Sequence, residues 1–579
     1  MWPQACVITA LVLYFSLTIL PLYRNYVVAR KVGLPIIISP VNPLGVFWLL
    51  LGVRFIPLIR LLPNRLSLWT HCTEYGGGFN DRTAIHKRVG PVFMHVNPAW
   101  NELVVADATS AASILNRRKD FIKPQIFYER LNVFGSNVDT VEGDDWQRQR
   151  KLTAPCFNEK TSKGVWDIAS NQAKSMVEHN MSLFDTSTNS LQDDSRTIAM
   201  NVLVGIGFGI MQDFLTGQKK VDPGYSMSYV DSLRTIIRNI LFTFIFPHKV
   251  LLYGFMPRAL RKVGIAIAEF GRYNHELLAK ERDAIQHEQQ AVRNNLLSTL
   301  VRSSDAEDSK TGKKQGLSEE EILGNMFIFS LAGHDTTANT ITFAIGLLAV
   351  HPEWQTWIQE ELDYVFGAKA GGEYEDAFSK LKRCQAVVFE TLRLWGSVPF
   401  IVKSTGAEAQ PLELPFGAPG SAYRQCILSP NTMIHINLPA LHISPENWGS
   451  DSLTFRPSRW IQTGGSVLPT DSALPKDLES ERLITPRAGE FIPWAMGPRN
   501  CLGMKFAQVE AVSVLSTVFK SARVKPSLAP ELRTGQYDLS DGRLSRKLAM
   551  EVLKERRVEV TITIARPHDL WLKWEMREG

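Results

Sequence analysis

The chain has 579 residues, of which 45% are apolar and 21% are charged, the composition of an ordinary globular protein. Its 64 basic and 58 acidic residues give a formal charge of +6 without a dense basic stripe, so nucleic acid is not indicated as a partner. The six cysteines are sparse and none forms a CxxC pair, which argues against a disulfide framework and a cysteine-based zinc site.

The first predicted element is the uncharged apolar segment 2–22. About 20 helical residues cross the ~30 Å hydrocarbon layer of a bilayer, so this segment predicts an N-terminal transmembrane helix. Arg24, Arg30 and Lys31 follow the segment, whereas a cleavable signal peptide carries its basic residues before the apolar run. We therefore expect a single-pass anchor in the endoplasmic reticulum membrane, with the rest of the chain in the cytosol. A cleaved signal peptide is the alternative.

A connector follows this anchor. Pro35, Pro40 and Pro43 cannot continue a helix, which predicts a stiff, extended segment. Residues 46–62 are apolar again but are interrupted by two arginines. They are interpreted either as a helix packed on the domain or as an element in the membrane interface, and both interpretations stay open.

The rest of the chain shows mostly helical spacing of apolar residues. Short β-branched runs predict strands at Val92–Val96, Glu102–Val105 and Val558–Ile564. The predicted fold class is therefore mainly α with small β-sheets. Because no repeat or clean linker is visible, we divide the chain into an anchor at 1–30, a connector at 31–63 and one large domain at 64–579.

The strongest helix start lies at Ser318. Its side chain can cap the helix, and Glu321 completes a capping box three residues later. The apolar pattern continues to about Val350, which predicts a helix of about 30 residues. Its interior carries the segment Ala332–Thr337, AGHDTT. Glycine and adjacent threonines inside a buried helix cost stability, so this segment indicates function.

A second segment with chemical potential is PWAMGPRNCLG, residues 493–503. Its glycines would let backbone N–H groups approach the Cys501 sulfur, where they can stabilise a thiolate that binds a metal. Arg499 can offer a forked donor to a carboxylate. A helix is predicted after Gly503, and its positive end also favours a thiolate.

This segment resembles the haem-binding signature of the cytochromes P450, FxxGxRxCxG, at Gly497, Arg499, Cys501 and Gly503. It departs from that signature at Trp494, where the family usually has phenylalanine. The resemblance implies that Cys501 is the axial ligand of the haem iron and that Arg499 contacts a haem propionate. It also implies that Trp494 lies against the thiolate loop. A buried structural cysteine is the alternative for Cys501.

The AGHDTT segment is similar to the family's AGxDTT motif on the oxygen-binding helix. The resemblance implies that Gly333 leaves room for dioxygen beside the iron. It also implies that Thr336 and Asp335 are catalytic and deliver protons to the reacting oxygen. A polar helix face is the alternative. His334 stands at a position that varies in the family, so we interpret it as structural or peripheral.

Glu390-Thr391-Leu392-Arg393 resembles the family's ExxR motif, and residues three apart on a helix face the same way. Phe455–Trp460 resembles FxPxRF, so Arg459 is expected to complete a structural triad with Glu390 and Arg393. Removing one member should leave a buried charge without its partner.

Other matches concern haem and substrate contacts. Trp146 and Arg150 fit WxxxR and share one helix face, so both could reach the haem propionates. Lys403 stands where many members carry a basic propionate partner, with a surface ion pair as the alternative. The candidate substrate contacts are apolar and indicate a lipophilic substrate, although core packing explains each one equally well. These candidates are Phe127, Phe134, Phe329, Phe400 and Ile401.

The resemblance covers nearly all of the chain outside the predicted membrane segment, from about residue 90 to 565. It implies the P450 fold, haem b, dioxygen as co-substrate, and NADPH electrons delivered by NADPH–cytochrome P450 reductase or cytochrome b5. Lys505 and Arg148 are candidate reductase contacts, with an ordinary solvated surface as the alternative. The implied activity is a haem-thiolate monooxygenase acting on a small lipophilic substrate. Loose similarity to filamentous-fungal members suggests secondary metabolism.

Two other functions are compatible with such a fold. A P450-type isomerase or dehydratase would need no proton delivery to dioxygen, so the intact Asp335–Thr336 pair argues against it. A non-enzymatic haem protein, such as a sensor or an electron carrier, would lack a wide apolar pocket and turnover with a reductase.

Overall fold

The computed structural model describes residues 12, 14–45, 47–74, 83–183, 185–215, 221–287, 295–304, 315–367, 372–417, 420–463, 466–467, 478–532, 542–558 and 561–577. The chain forms two compact units, each built from separate stretches of sequence. The sheet unit comprises Met1–Ile126, Val398–Thr454 and Pro486–Cys501. The helical unit comprises Phe127–Ser397, Phe455–Thr485 and Leu502–Gly579.

The sheet unit is built on one five-stranded sheet. Its strands lie in the spatial order Ile36–Ile38, Val92–Val96, Asn101–Val105, Met433–Asn437 and Phe400–Ser404. The first and third pairings in this order are parallel and the other two are antiparallel. A separate antiparallel hairpin joins Gln410–Pro415 to Tyr423–Leu428. All five residues of strand Val92–Val96 are buried; four are apolar, and the fifth, His95, lies 2.8 Å from the Glu102 carboxylate.

The helices of the sheet unit are short. The α-helices are Leu20–Arg30, Val53–Ile59, Asn64–Ser67, Thr70–Thr73, Ala84–Val89, Ala108–Asn116, Leu438–His442 and Pro445–Trp448. Phe15–Ile19 and Trp48–Gly52 are π-helical, and Gly497–Arg499 is a 3₁₀ turn. The short helix Gln125–Tyr128 contains the unit boundary.

The helical unit holds the longer helices. They are Gly143–Thr153, Glu159–Ser182, Leu191–Phe208, Tyr229–Arg238, Ile240–Ile245, His248–Leu251, Arg258–Gln286, Leu296–Arg302, Glu319–Val350, Pro352–Phe366, Tyr374–Ala377, Lys382–Trp395, Met504–Ser521 and Arg543–Lys554. The 3₁₀ turns are Glu129–Leu131, Ala154–Cys156, Pro457–Trp460, Pro530–Leu532 and Pro567–Asp569. One large apolar core lies among these helices.

Small antiparallel sheets complete the helical unit. One contains Ser466–Val467, Ile461–Thr463 and Arg482–Leu483, and another contains Ala522–Pro526, Leu572–Met576 and Ser187–Thr188. The C-terminal hairpin pairs Arg556–Val558 with Ile562–Ile564. The run predicted as a single strand over Val558–Ile564 is therefore divided between two strands. The prediction of a mainly helical protein with small sheets is confirmed.

The N-terminal helix Leu20–Arg30 packs on the sheet of its own unit. The Asn25 side chain donates to the Asn97 carbonyl at 2.8 Å, and the Asn101 side chain donates to the Asn25 carbonyl at 3.0 Å. Among the described residues, no helix is both long and apolar enough to cross a membrane. Residues 1–11 and 13, which include half of the predicted span 2–22, lie outside the described part.

The segment after this helix is more closely tied to the sheet than a simple connector would be. Ile36–Ile38 has the extended conformation that was predicted, but it forms a strand that pairs in parallel with Val92–Val96. Within residues 46–62, Trp48 and Ile56 are buried in a small apolar core, whereas Phe47 and Leu58 are exposed. Residues 46–62 therefore pack on the unit through one face and leave apolar side chains exposed on another. The boundaries predicted at residues 30 and 63 stay a prediction.

Candidate functional site

The long helix of the helical unit, Glu319–Val350, begins and ends where its sequence predicts. The Ser318 hydroxyl accepts the Glu321 N–H at 3.3 Å, and the Glu321 carboxylate accepts the Ser318 N–H at 2.9 Å. This reciprocal capping box satisfies donors that the first helical turn would otherwise leave open. The prediction of a long, well-capped helix is confirmed.

One face of this helix is open at its centre. Almost every residue from Glu321 to Val350 is buried, but Ala332 is exposed and Phe329, Gly333 and Thr336 are half-buried. These four positions follow the spacing of a single helix face. Small side chains thus leave space along one strip of a helix that is otherwise enclosed.

The two predicted catalytic side chains on this helix make separate contacts. The Thr336 hydroxyl donates to the Ala332 carbonyl at 2.7 Å. The buried Asp335 carboxylate lies 3.3 Å from the Arg196 guanidinium and accepts a hydrogen bond from the Thr561 hydroxyl. The structure therefore does not join Thr336 to Asp335. Sequence reasoning missed Arg196 and Thr561, which are 139 and 226 positions from Asp335 and carry no local signal.

His334 lies beside these residues and is buried. Neither ring nitrogen has a hydrogen-bond partner among the described residues. Burial is the largest influence on this group and lowers the pKa of His334 from 6.5 to about 4. The imidazole is therefore neutral at physiological pH, which supports its interpretation as a structural residue.

Replacing His334 with leucine should make the protein less sensitive to acid. A base whose pKa is lowered on folding binds fewer protons in the folded than in the unfolded state, so it destabilises the fold as pH falls. For His334 this loss develops as the pH falls from 6.5 to about 4. Urea denaturation from pH 7 to 4 should show a flatter profile for His334→Leu. The exposed His568→Leu control should follow the wild type, and equal slopes in all three proteins would contradict this.

The predicted triad is assembled in the helical unit. Glu390 and Arg393 have fully buried side chains 2.8 Å apart on helix Lys382–Trp395. The Arg459 guanidinium donates to Glu390 at 3.0 Å from the 3₁₀ turn Pro457–Trp460. Two arginines thus compensate the charge of one buried carboxylate, which explains how it tolerates burial.

Trp460 is a fourth member of this cluster that sequence reasoning missed. Its indole N–H donates to Glu390 at 3.0 Å, and the Arg456 backbone N–H donates to the same carboxylate at 2.9 Å. The resembled motif has phenylalanine where this chain has Trp460. That substitution was the available signal, because tryptophan adds a donor that phenylalanine lacks.

Trp460→Phe should destabilise the helical unit by about 1–3 kcal/mol, because Glu390 would lose a buried, charge-assisted hydrogen bond. The matched control is Trp395→Phe, since the Trp395 indole donates at 3.1 Å to a neutral carbonyl, that of Leu553. Chemical denaturation of both variants should show the larger loss at Trp460. A smaller loss there than at Trp395 would overturn this assignment.

The WxxxR pair lies on helix Gly143–Thr153, with Trp146 buried and Arg150 half-buried. Arg148 on the same helix donates to Glu321 at 2.6 Å and to Asp145 at 2.9 Å, and its side chain is only 13% exposed. It is therefore engaged within its own unit, which makes it a poor reductase contact. Lys505 is more exposed and pairs with Glu159.

The cysteine loop, residues 493–501, belongs to the sheet unit. The Cys501 N–H donates to the Trp494 carbonyl at 2.9 Å, which closes the loop. Ala495 and Gly497 both adopt positive φ angles, of 57° and 70°. A Cβ atom at Gly497 would lie 2.6 Å from the Leu115 carbonyl oxygen, so this position requires glycine. Cys501 is exposed at the end of this constrained loop.

Aromatic contacts support the start of the loop. The Phe491 ring lies 5.3 Å from His442 and 6.3 Å from Trp494, measured between ring centroids. The buried His442 accepts the Ile492 N–H at 3.0 Å through Nε2. Sequence reasoning missed His442, which lies on helix Leu438–His442, 50 positions before Ile492. Arg499, two residues before the cysteine, is half-buried.

Lys403 is buried on strand Phe400–Ser404. The alternative that placed it in a surface ion pair is therefore wrong, because a surface pair requires an exposed ammonium group. Its proposed contact with a propionate stays a prediction. On the same strand, the Phe400 ring lies 4.6 Å from the His435 ring, and Ile401 is half-buried.

The other candidate substrate contacts lie in the helical unit. Phe134 packs against Phe270 and Phe327, with ring centroids 5.4 and 5.1 Å away, so core packing explains it well. Phe329 is half-buried on the open face of the long helix and meets Phe157 edge to face at 5.4 Å. Phe127 is half-buried. Of these three, Phe329 has the placement that best suits a substrate contact.

The helical unit holds the open helix face and the buried Glu–Arg–Arg cluster, and the sheet unit holds the constrained cysteine loop. Each of these features carries a motif that resembles the haem-thiolate cytochromes P450. The family model "Cytochrome P450" matches residues 61–536, and the chain belongs to this family. It is a haem-thiolate monooxygenase, an oxidoreductase that uses haem, dioxygen, a redox partner and a lipophilic substrate.

Two curated fungal relatives cover most of the chain. "Cytochrome P450 monooxygenase ORF6" of Penicillium roqueforti is 29% identical over 89% of this chain and 90% of its own length. "Phomenoic acid biosynthesis cluster cytochrome P450 monooxygenase" of Leptosphaeria maculans is 29% identical over 90% of this chain and 92% of its own. The solved cytochrome P450DA haem domain covers 88% of this chain and 95% of that chain, with a TM-score of 0.64 and 18% identity. This last likeness shows the P450 fold.

Proposed function

We propose that this enzyme inserts one oxygen atom of dioxygen into a lipophilic small molecule of fungal secondary metabolism, by hydroxylation, epoxidation or multistep oxidation. The observation that carries the proposal is the open strip of small residues on the otherwise buried long helix. The pathway assignment rests on a relative named for a phomenoic acid biosynthesis cluster.

The residues present suit a haem, and we propose that it is haem b. A bound haem would supply the iron at which dioxygen is activated, with a thiolate that favours O–O cleavage. The Cys501 sulfur would be the iron ligand, and its N–H is already used to close the loop on Trp494. In the sheet unit, Arg499 and Lys403 are cations suited to a propionate. In the helical unit, Arg150 is such a cation and the Trp146 indole is a donor.

The long helix supplies the groups that handle protons. Ala332 and Gly333 carry little or no side chain on this face, and a Cβ atom at Gly333 would lie 3.3 Å from Leu203. Thr336 holds its hydroxyl on this open face, where it can donate to a reacting oxygen and accept a proton in return. Asp335, the preceding residue on the helix, would help to relay a replacement proton from water.

We also propose that the enzyme is a single-pass protein of the endoplasmic reticulum membrane, with NADPH–cytochrome P450 reductase or cytochrome b5 as its electron donor on the cytosolic side. Exposed apolar side chains at Tyr14, Phe15, Leu17 and Leu20 support this, together with the basic residues that follow. Carbonate extraction of the full chain should leave it in the membrane pellet, and release into the supernatant would refute the anchor.

The function is tested by comparing metabolites with and without the gene, and then by supplying the accumulated compound to purified enzyme. With reductase, NADPH and labelled dioxygen, the product should contain one labelled oxygen atom for each NADPH consumed. A product without label, formed without NADPH, would indicate an isomerase or dehydratase. No conversion, despite normal reduction of the haem, would favour a sensor or an electron carrier.

A further inference from the structure

The Asp335 carboxylate is held by donors on both of its oxygens. Oδ1 lies 3.3 Å from Arg196 of helix Leu191–Phe208, and Oδ2 accepts the Thr561 hydroxyl of the C-terminal hairpin. Because the Thr336 hydroxyl instead donates to Ala332, neither oxygen of Asp335 is engaged by the other catalytic side chain. Two separate elements of the helical unit thus fix the orientation of a carboxylate that comes one residue before Thr336 on the long helix.

Thr561 is itself held by a chain of buried amides. The Asn339 side chain donates to the Thr561 oxygen at 2.9 Å, and Gln192 donates to the Asn339 side-chain oxygen at 3.2 Å. Gln192 also donates to Thr563. Thr561, Asn339, Gln192 and Thr563 are all buried. The bonds from Gln192 to Asn339, from Asn339 to Thr561 and from Thr561 to Asp335 run in one direction, so the Thr561 hydrogen is committed to the carboxylate.

We propose that Thr561 is a positioning residue for the monooxygenase reaction. It anchors Oδ2 of Asp335, and with Arg196 it keeps the carboxylate in the one rotamer from which protons reach the open face. Without the Thr561 hydroxyl, one anchor remains and the carboxylate can rotate about its side-chain torsions. This inference rests on the proposed role of Asp335 in proton delivery.

The consequence can be measured without knowing the substrate, because a P450 supplied with NADPH, reductase and dioxygen still reduces oxygen. Two electrons from NADPH and two protons convert one dioxygen molecule to hydrogen peroxide, and four electrons with four protons convert it to two water molecules. Both outcomes consume protons, so misplacing Asp335 should slow NADPH oxidation. Because water formation takes twice as many protons per dioxygen as peroxide formation, the fraction of electrons recovered as peroxide should also rise.

The test compares Thr561→Val, which keeps the shape and removes the hydroxyl, with Thr561→Ser, which restores it. Rates are measured on the reconstituted holoenzyme, per haem that binds carbon monoxide, in H₂O and in D₂O. We expect Thr561→Val to lower the rate about tenfold, the effect of losing one hydrogen bond to a charged group, and to increase the solvent isotope effect. The rate of Thr561→Ser per haem should remain within about twofold of the wild-type rate.

A purely structural role would reduce haem content and thermal stability but leave the rate per haem and the isotope effect unchanged. That result for Thr561→Val would overturn the proposal. If Thr561→Val does not fold, Thr561→Ala removes the same donor and is held to the same criterion. A wild type without a thiolate-type carbon monoxide spectrum or NADPH oxidation would instead refute the proposed function, before any variant is compared.

Discussion

Cys501→Ser is expected to give a protein whose reduced carbon monoxide complex lacks the red-shifted Soret band of thiolate ligation. Serine keeps the size of the side chain, so the loop closed by Cys501 N–H and Trp494 can still form. It replaces the soft sulfur ligand with a hydroxyl, which does not ionise near neutral pH as a thiol can. NADPH-dependent turnover should fall to background.

Cys426→Ser is the matched control. Cys426 is a buried thiol in the hairpin of the same unit, and its sulfur lies 3.7 Å from the Arg424 carbonyl. This variant should keep the thiolate-type spectrum. A wild-type spectrum for Cys501→Ser, or loss of the spectrum in Cys426→Ser alone, would show that the ligand has been wrongly assigned.

Glu390→Ala is the second change with a large expected effect. Glu390 accepts hydrogen bonds from Arg393, Arg459 and Trp460, and the Glu390 and Arg393 side chains are fully buried. Removing the carboxylate leaves two arginines without their shared anion, at a cost of about 3–5 kcal/mol. That is a large fraction of the stability of a typical protein, so the purified chain should contain little or no haem.

The comparison that isolates the charge is Glu390→Gln, which keeps the shape but offers the arginines a neutral acceptor. This variant should lose less haem and less stability than Glu390→Ala. Glu551→Ala, on an exposed position of helix Arg543–Lys554, should retain haem and stability. Haem content is measured from the absorbance ratio of haem to protein, and stability from denaturation. Normal haem incorporation in Glu390→Ala would show that the triad does not support the haem region.

Local features of the fold could be predicted because their partners are close in sequence. The capping box joins Ser318 to Glu321, and the ExxR pair joins Glu390 to Arg393, so each follows from the geometry of one helix turn. Cys501 was found because several unusual residues stand together in one loop, and Arg459 came from the family resemblance.

Contacts between distant segments could not be predicted in this way. Nothing near Asp335 in the chain indicates that its carboxylate is held by Arg196 and Thr561, which depends on how a helix and a hairpin pack. Burial of Lys403 depends likewise on the position of its strand in the sheet. The Trp460 indole reaches Glu390 because a 3₁₀ turn directs it there, and the motif shows only that the residue is aromatic.

The docking of helix Leu20–Arg30 on the sheet determines where the protein can be shortened for soluble expression. A chain that starts after Arg30 would lose Asn25, and with it the partners of the Asn97 carbonyl and the Asn101 amide. It would also uncover the apolar surface covered by Ala29, Leu22 and Tyr26. A chain that starts at Leu20 removes the exposed apolar residues before it and keeps these contacts. The shorter version should therefore aggregate more readily than the one that starts at Leu20.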